Sequence, residues 1–130
     1  MRRGERDRVT ETIVFLHRVG ATALVIFAVI LGIWGAYLYF RRAELTGGFR
    51  SSFLMMAGLT AVQGLFGLAA FIAGQRPTEI LHVVYGIFAV LFLPGVYLYA
   101  QGGTKRREAV FLAGATWIVA IAYLRGFMTG

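Results

Sequence analysis

The chain holds two histidines, His17 and His82, and no cysteine. A neutral imidazole offers a nitrogen lone pair to a metal, and two imidazoles on facing helices can supply both axial ligands of a haem iron. Each histidine stands at the leading edge of a long apolar run. His82 is the third residue of ILHVVYGIFAVLFLPGVYLYA, residues 80–100, which carry no charge. His17 leads through Arg18 into residues 19–40, also free of charge. Runs of about 20 apolar residues read as transmembrane helices.

The neighbours of the two histidines extend the constellation. Gly20 lies three residues after His17, and Gly86 lies four after His82. Both offsets fall on the histidine's own helix face, so the edge of a flat macrocycle could lie against backbone there. Gln63 is the one strongly polar residue inside the second apolar run. Its amide reads either as a hydrogen bond to a neighbouring helix or as a contact to a haem edge or quinone carbonyl. Tyr85, one turn from His82, reads as pocket lining or as packing. Haem propionates would face the nearer membrane surface, where Arg76 and Arg125 are the candidate partners; Arg18 points about a quarter-turn away from His17 and is the weaker candidate. His17 and His82 are thus the candidate metal ligands, with Gly20, Gly86, Gln63, Tyr85, Arg76 and Arg125 around the cofactor. The bland alternative makes the histidines polar anchors and the glycines packing devices.

The elements that must position these groups follow from composition. The chain has 130 residues and is 58% hydrophobic, above the 45–50% usual for soluble domains. The excess is gathered into four blocks. The predicted fold is an all-α integral membrane four-helix bundle, one transmembrane domain over residues 1–130, with helices at about 13–40, 53–73, 78–100 and 107–125. Residues 1–11 read as a polar tail, with Thr10 or Thr12 as the first helix cap. Gly47 and Gly48 read as the breaker of the first loop. Pro77 suits the first turn of helix three, and Pro94 is expected to kink it. Short loops imply up-down-up-down order, so helices one and three run in the same direction. At ~1.5 Å per residue, His17 and His82 then sit level, near the same membrane face.

The net charge of +7 does not point to nucleic acid. The basic residues lie in the tail and loops, where they set topology and meet anionic headgroups. The loops after helices one and three carry Arg41, Arg42, Arg50, Lys105, Arg106 and Arg107, which favours a cytoplasmic face there. The tail, with Arg2, Arg3, Arg6 and Arg8, argues the reverse. The expectation is a multi-pass protein of the cell (inner) membrane with an extracytoplasmic N-terminus. The N-terminal segment reads as a retained tail, because the apolar run behind it is too long for a signal-peptide core. The lack of cysteine excludes disulfides and thiolate sites. Glu11, Glu44, Glu79 and Glu108 all lie at span edges, which argues against a proton relay, a carboxylate metal site or a transporter.

The segments FLHRVGATALV (15–25), LTAVQGLFGLAAF (59–71) and EILHVVYGIFAV (79–90) resemble one four-helix half of the haem A synthase family. In each half of that family a histidine, often as His-Arg, precedes a Gln-x-x-x-Gly-type helix and then a second histidine. His17-Arg18, Gln63 with Gly67, and His82 stand in that order. The resemblance implies bis-histidine haem ligation by His17 and His82 near the outer face. The chain departs from the family in three ways. It has one half rather than two, it has no cysteine pair, and Val14 stands where the catalytic half places a glutamate three residues before its first histidine. The reading is therefore a membrane b-type haem protein that passes electrons or holds haem in a respiratory or photosynthetic complex, and not a catalyst by itself. The alternatives are a haem-free structural or assembly subunit and, third, a haem-modifying enzyme. Expected partners are the lipid bilayer and either other membrane subunits or a second copy.

Overall fold

The computed structural model describes residues 2–130 as four helices, α1 (Arg3–Phe40), α2 (Gly47–Ile72), α3 (Ile80–Ala100) and α4 (Lys105–Thr129). All four are long and apolar enough to cross a membrane, which makes this a multi-pass membrane protein. Large apolar side chains such as Ile26, Ile30, Leu65, Leu91 and Ile121 point outward. In water that surface would be costly; against lipid tails it is the expected exterior.

The helices form a ring. α1 packs on α2 and α4, and α3 packs on the same two. α1 and α3 therefore face each other across one diagonal, and α2 and α4 across the other. α1 and α4 pack tightly at Gly32 and Gly35. A Cβ at Gly35 would stand 3.0 Å from the Ala113 Cβ and 3.1 Å from the Phe49 ring, and one at Gly32 would stand 3.0 Å from the Trp117 indole. With no driving force from water between helices in lipid, this close backbone contact is what holds them.

Several helix ends differ from the sequence expectation. α1 starts at Arg3, so the polar tail is helical, and neither Thr10 nor Thr12 caps it. Arg2 is its N-cap, and the Thr12 hydroxyl bonds back to the Arg8 carbonyl inside the helix. The opposite charges at Arg3, Asp7, Arg8 and Glu11 stand one turn apart, a spacing that supports a helix. α2 starts at Gly47, not 53. The Thr46 hydroxyl accepts from the Phe49 N–H at 3.0 Å and fixes the start, so Gly47 and Gly48 form a first turn rather than a break. α2 ends at Ile72, and Gly74 just beyond it, with a φ of +93°, allows the Gln75 N–H to reach back to the Ala70 carbonyl at 3.0 Å. α3 begins at Ile80, so Pro77 lies in the connection. The helix continues unbroken past Pro94 to Ala100. α4 begins at Lys105, within the basic segment, and runs to Thr129, four residues past the expected end.

The core occupies one half of the bundle. Its largest fully buried members are Phe49, Phe53, Leu31, Met56, Leu93 and Leu112. Ion pairs from Arg50 to Glu108 and from Lys105 to Glu44 tie the same end together. At the other end, dense packing stops at a layer containing Leu24, Thr60, Ala89 and Ala122. Beyond that layer lies a cavity.

Candidate functional site

The cavity has a volume of about 290 Å³ and is bordered by all four helices. His17, Gln63, His82, Tyr85 and Gly86 line it. Its floor is a hydrogen bond between the Thr60 and Tyr123 hydroxyls, which joins α2 to α4 across their diagonal. The histidines meet across the other diagonal. Their ring centroids are 5.8 Å apart with the planes inclined at 69°. The level placement read from sequence is realised because α1 and α3 run in the same direction and both histidines fall on inward faces.

Each imidazole is oriented through Nδ1. His82 Nδ1 lies 2.7 Å from the Gly126 carbonyl oxygen. A carbonyl can only accept, so Nδ1 carries the proton and the Nε2 lone pair is free. The reason for this bond is local. Gly126 stands in the last turn of α4, where the final carbonyls have no backbone partner further along the helix, and the Thr129 hydroxyl reaches the same oxygen only at 3.4 Å. Two further bonds hold the same corner, from the Glu79 N–H to the Thr129 carbonyl at 3.2 Å and from the Thr78 hydroxyl to the Gly130 carbonyl at 3.2 Å.

His17 leans on α2. A Cβ at Gly67 would stand 3.0 Å from the ring's Cε1, so a side chain there would press on the imidazole. Nδ1 lies 3.3 Å from the Gln63 carbonyl oxygen and 3.0 Å from the Gln63 side-chain nitrogen. A neutral ring nitrogen cannot donate to the first and accept from the second together. The Gln63 amide also donates to the His17 backbone carbonyl. Its second N–H faces Nδ1, so the free ring has two arrangements: Nδ1 accepts from the amide, or Nδ1 donates to the Gln63 carbonyl and leaves the Nε2 lone pair for a ligand. A metal at Nε2 selects the second.

The other residues singled out by sequence divide into two groups. Gly86 borders the cavity, and a Cβ there would meet nothing within 4 Å, so the space beside His82 is open. The space beside Gly20 is not. A Cβ there would collide with the Gln63 carboxamide, so Gly20 accommodates Gln63 and offers no room to a macrocycle. Tyr85 lines the wall. Neither Arg76 nor Arg125 borders the cavity. Arg76 folds over the Phe71 ring at 3.8 Å and donates to the Phe71 carbonyl at 2.8 Å. Arg18 does border it, which reverses the order of candidates expected from helix angle alone. Sequence reasoning did not find Gly126 as the acceptor for His82. The signal was present in the glycine, but the expected end of helix four at 125 left it outside the fold.

The donor set restricts what the cavity can hold. Among the described residues there is no cluster of three or more metal-binding side chains. A bare zinc ion needs three or four protein ligands. Two imidazoles suffice where a macrocycle supplies the remaining donors. At metal–nitrogen bonds of about 2 Å, two rings sharing one iron have centroids roughly 6 Å apart, close to the separation found. No family model, curated protein or solved structure matches this chain.

Proposed function

We propose that the chain is a membrane b-type haem-binding protein in which His17 and His82 are the two axial ligands. The observation that carries this reading is the pair of imidazoles, 5.8 Å apart, each with Nδ1 within reach of a backbone carbonyl and Nε2 left for a ligand. The glycine surfaces at Gly86 and Gly126 border the same cavity and give a flat ring close access to backbone. The volume of about 290 Å³ falls just below the range of small-molecule sites, so the bundle must widen to admit a macrocycle, and the α2–α3 seam, the least packed of the four, is where it can. Arg18 is the cation placed to meet a propionate.

Haem in such a site supplies a one-electron iron couple. The protein's own part is to hold two imidazoles facing each other, to close the cavity on the packed core with the Thr60–Tyr123 floor, and to keep the site in lipid. This suits an electron-transfer or haem-holding subunit of a respiratory or photosynthetic membrane complex, in keeping with the resemblance of residues 15–90 to half of a haem A synthase. The N-terminus and the histidine end are assigned to the extracytoplasmic side of the cell membrane. The test is haem stoichiometry of the full chain, purified after expression with haem supply. One haem b per chain is expected. A purified, folded chain that takes up none rejects the proposal.

One observation favours the haem-free structural reading. His82 already satisfies an end carbonyl of α4, and His17 already joins α1 to α2 through Gln63, so both rings contribute to packing without any ligand. Under that reading the two histidines stabilise the fold and nothing more.

A further inference from the structure

A second cavity, of about 470 Å³, lies on the outer face between α3 and α4, at the end opposite the histidines. Phe92, Gly95 and Tyr99 on α3 and Phe111, Gly114 and Ile118 on α4 are among its walls, and no charged residue lines it. Two glycines open it: a Cβ at Gly95 or at Gly114 would meet nothing within 4 Å. Its α4 wall runs from Val110 to Ile118, about 12 Å along the membrane normal at the helical rise. An apolar trough of that form, open to the bilayer, fits a hydrocarbon chain.

Its upper rim carries a cation. The Arg107 guanidinium lies 4.7 Å from the Tyr99 ring centroid and 5.3 Å from that of Phe111, so it sits above two of the groove's own walls. The neighbouring charges are committed elsewhere. Glu108 pairs with Arg50, Glu44 pairs with Lys105, and Arg106 donates to the Tyr39 carbonyl at 2.7 Å. Among the described residues Arg107 is in neither ion pair. The same end of the bundle carries Arg41, Arg42, Arg50, Lys105, Arg106 and Arg107 against Glu44 and Glu108. The surplus of positive charge favours an anionic headgroup and opposes the same end of a second copy.

We propose that this groove is a binding site for one anionic glycerophospholipid, with an acyl chain between Gly95 and Gly114 and the phosphate on Arg107. It stands independently of the haem reading. Native mass spectrometry of the detergent-purified full chain tests it, using phosphatidylglycerol and phosphatidylcholine of identical acyl chains. The first phosphatidylglycerol is expected to bind about fivefold more tightly, as one basic residue near a headgroup gives. Arg107→Gln is expected to bring the two lipids within about twofold of each other. Gly114→Leu fills the trough and is expected to weaken both lipids, with Gly95→Leu as a second filling variant if that one does not fold. Equal affinity in the wild type, a preference kept in Arg107→Gln, or unchanged binding in the filled variants overturns the proposal. So does a wild-type dimer that Gly114→Leu dissociates, because the groove would then belong to a second copy.

Discussion

The Thr60 and Tyr123 hydroxyls are hydrogen-bonded across the α2–α4 diagonal, directly beneath the place where His17 and His82 face each other across the α1–α3 diagonal. The Thr60 hydroxyl also donates to the Met56 carbonyl at 2.7 Å. With that proton committed, Thr60 accepts from Tyr123. This crossing divides the bundle into a packed half and a hollow half, and among the described residues it is the one side-chain hydrogen bond at that boundary that joins α2 to α4.

A double-mutant cycle on this pair should show a coupling of about 0.6 kcal/mol and at most ~1.7, the range found for hydrogen bonds between membrane helices. Tyr123→Phe and Thr60→Ala are the single variants, read by equilibrium unfolding in mixed micelles. Additive effects, with no coupling, would mean that the two hydroxyls do not meet.

Gly67 should be intolerant of a side chain for a reason that has little to do with helix stability. Alanine at a helical glycine usually gains up to ~1 kcal/mol, yet a Cβ at Gly67 presses on the His17 ring at 3.0 Å. Gly67→Val should therefore lower haem retention by roughly tenfold or more, the scale on which losing a ligand's orienting contacts weakens a metal site. Gly58→Ala, where a Cβ meets nothing within 4 Å, should leave retention unchanged. Retained haem is measured per chain after detergent dialysis. Equal losses in the two variants would argue that glycine matters here only for general packing.

The two ion pairs at the closed end should differ in strength. The side chains of Arg50 and Glu108 are 35% and 21% exposed, whereas those of Lys105 and Glu44 are 68% and 64% exposed. The first pair is two-pronged and partly shielded, the second solvated. Cycles through Arg50→Gln with Glu108→Gln should give a coupling of about 1 kcal/mol, and those through Lys105→Gln with Glu44→Gln about 0.2–0.5 kcal/mol. Raising salt to about 0.5 M should remove the second and leave much of the first. A salt-labile Arg50–Glu108 coupling would contradict the packing described for that end.

How much of this was legible in the sequence depended on whether the signal was local. The charge-free runs at 19–40 and 80–100 announce their helices, because only an α-helix satisfies a backbone in lipid without neighbours. The level placement of His17 and His82 follows from counting along co-directional helices. Helix ends were less legible. Thr46 capping α2 ahead of two glycines depends on a side-chain bond, and residues 3–11 forming helix on the one-turn spacing of opposite charges, and weak local propensity reveals neither. Contacts between helices were the least legible. Gln63 stood out as a mid-span amide, but that it would fill the space at Gly20, and that Gly67 would receive the His17 ring, depends on the rotation of α2 against α1. Arg18 rather than Arg76 at the cavity is the same kind of outcome, fixed by where long side chains fold and not by where they start.

The most direct test of the central claim is low-temperature electron paramagnetic resonance of the ferric protein, wild type against His17→Ala and His82→Ala. Two axial imidazoles impose a low-spin six-coordinate iron. The account predicts a low-spin signal in the wild type, and in each single variant its replacement by a high-spin signal or loss of haem altogether. A low-spin signal that survives unchanged in either variant, or a wild type that binds no haem, would contradict it.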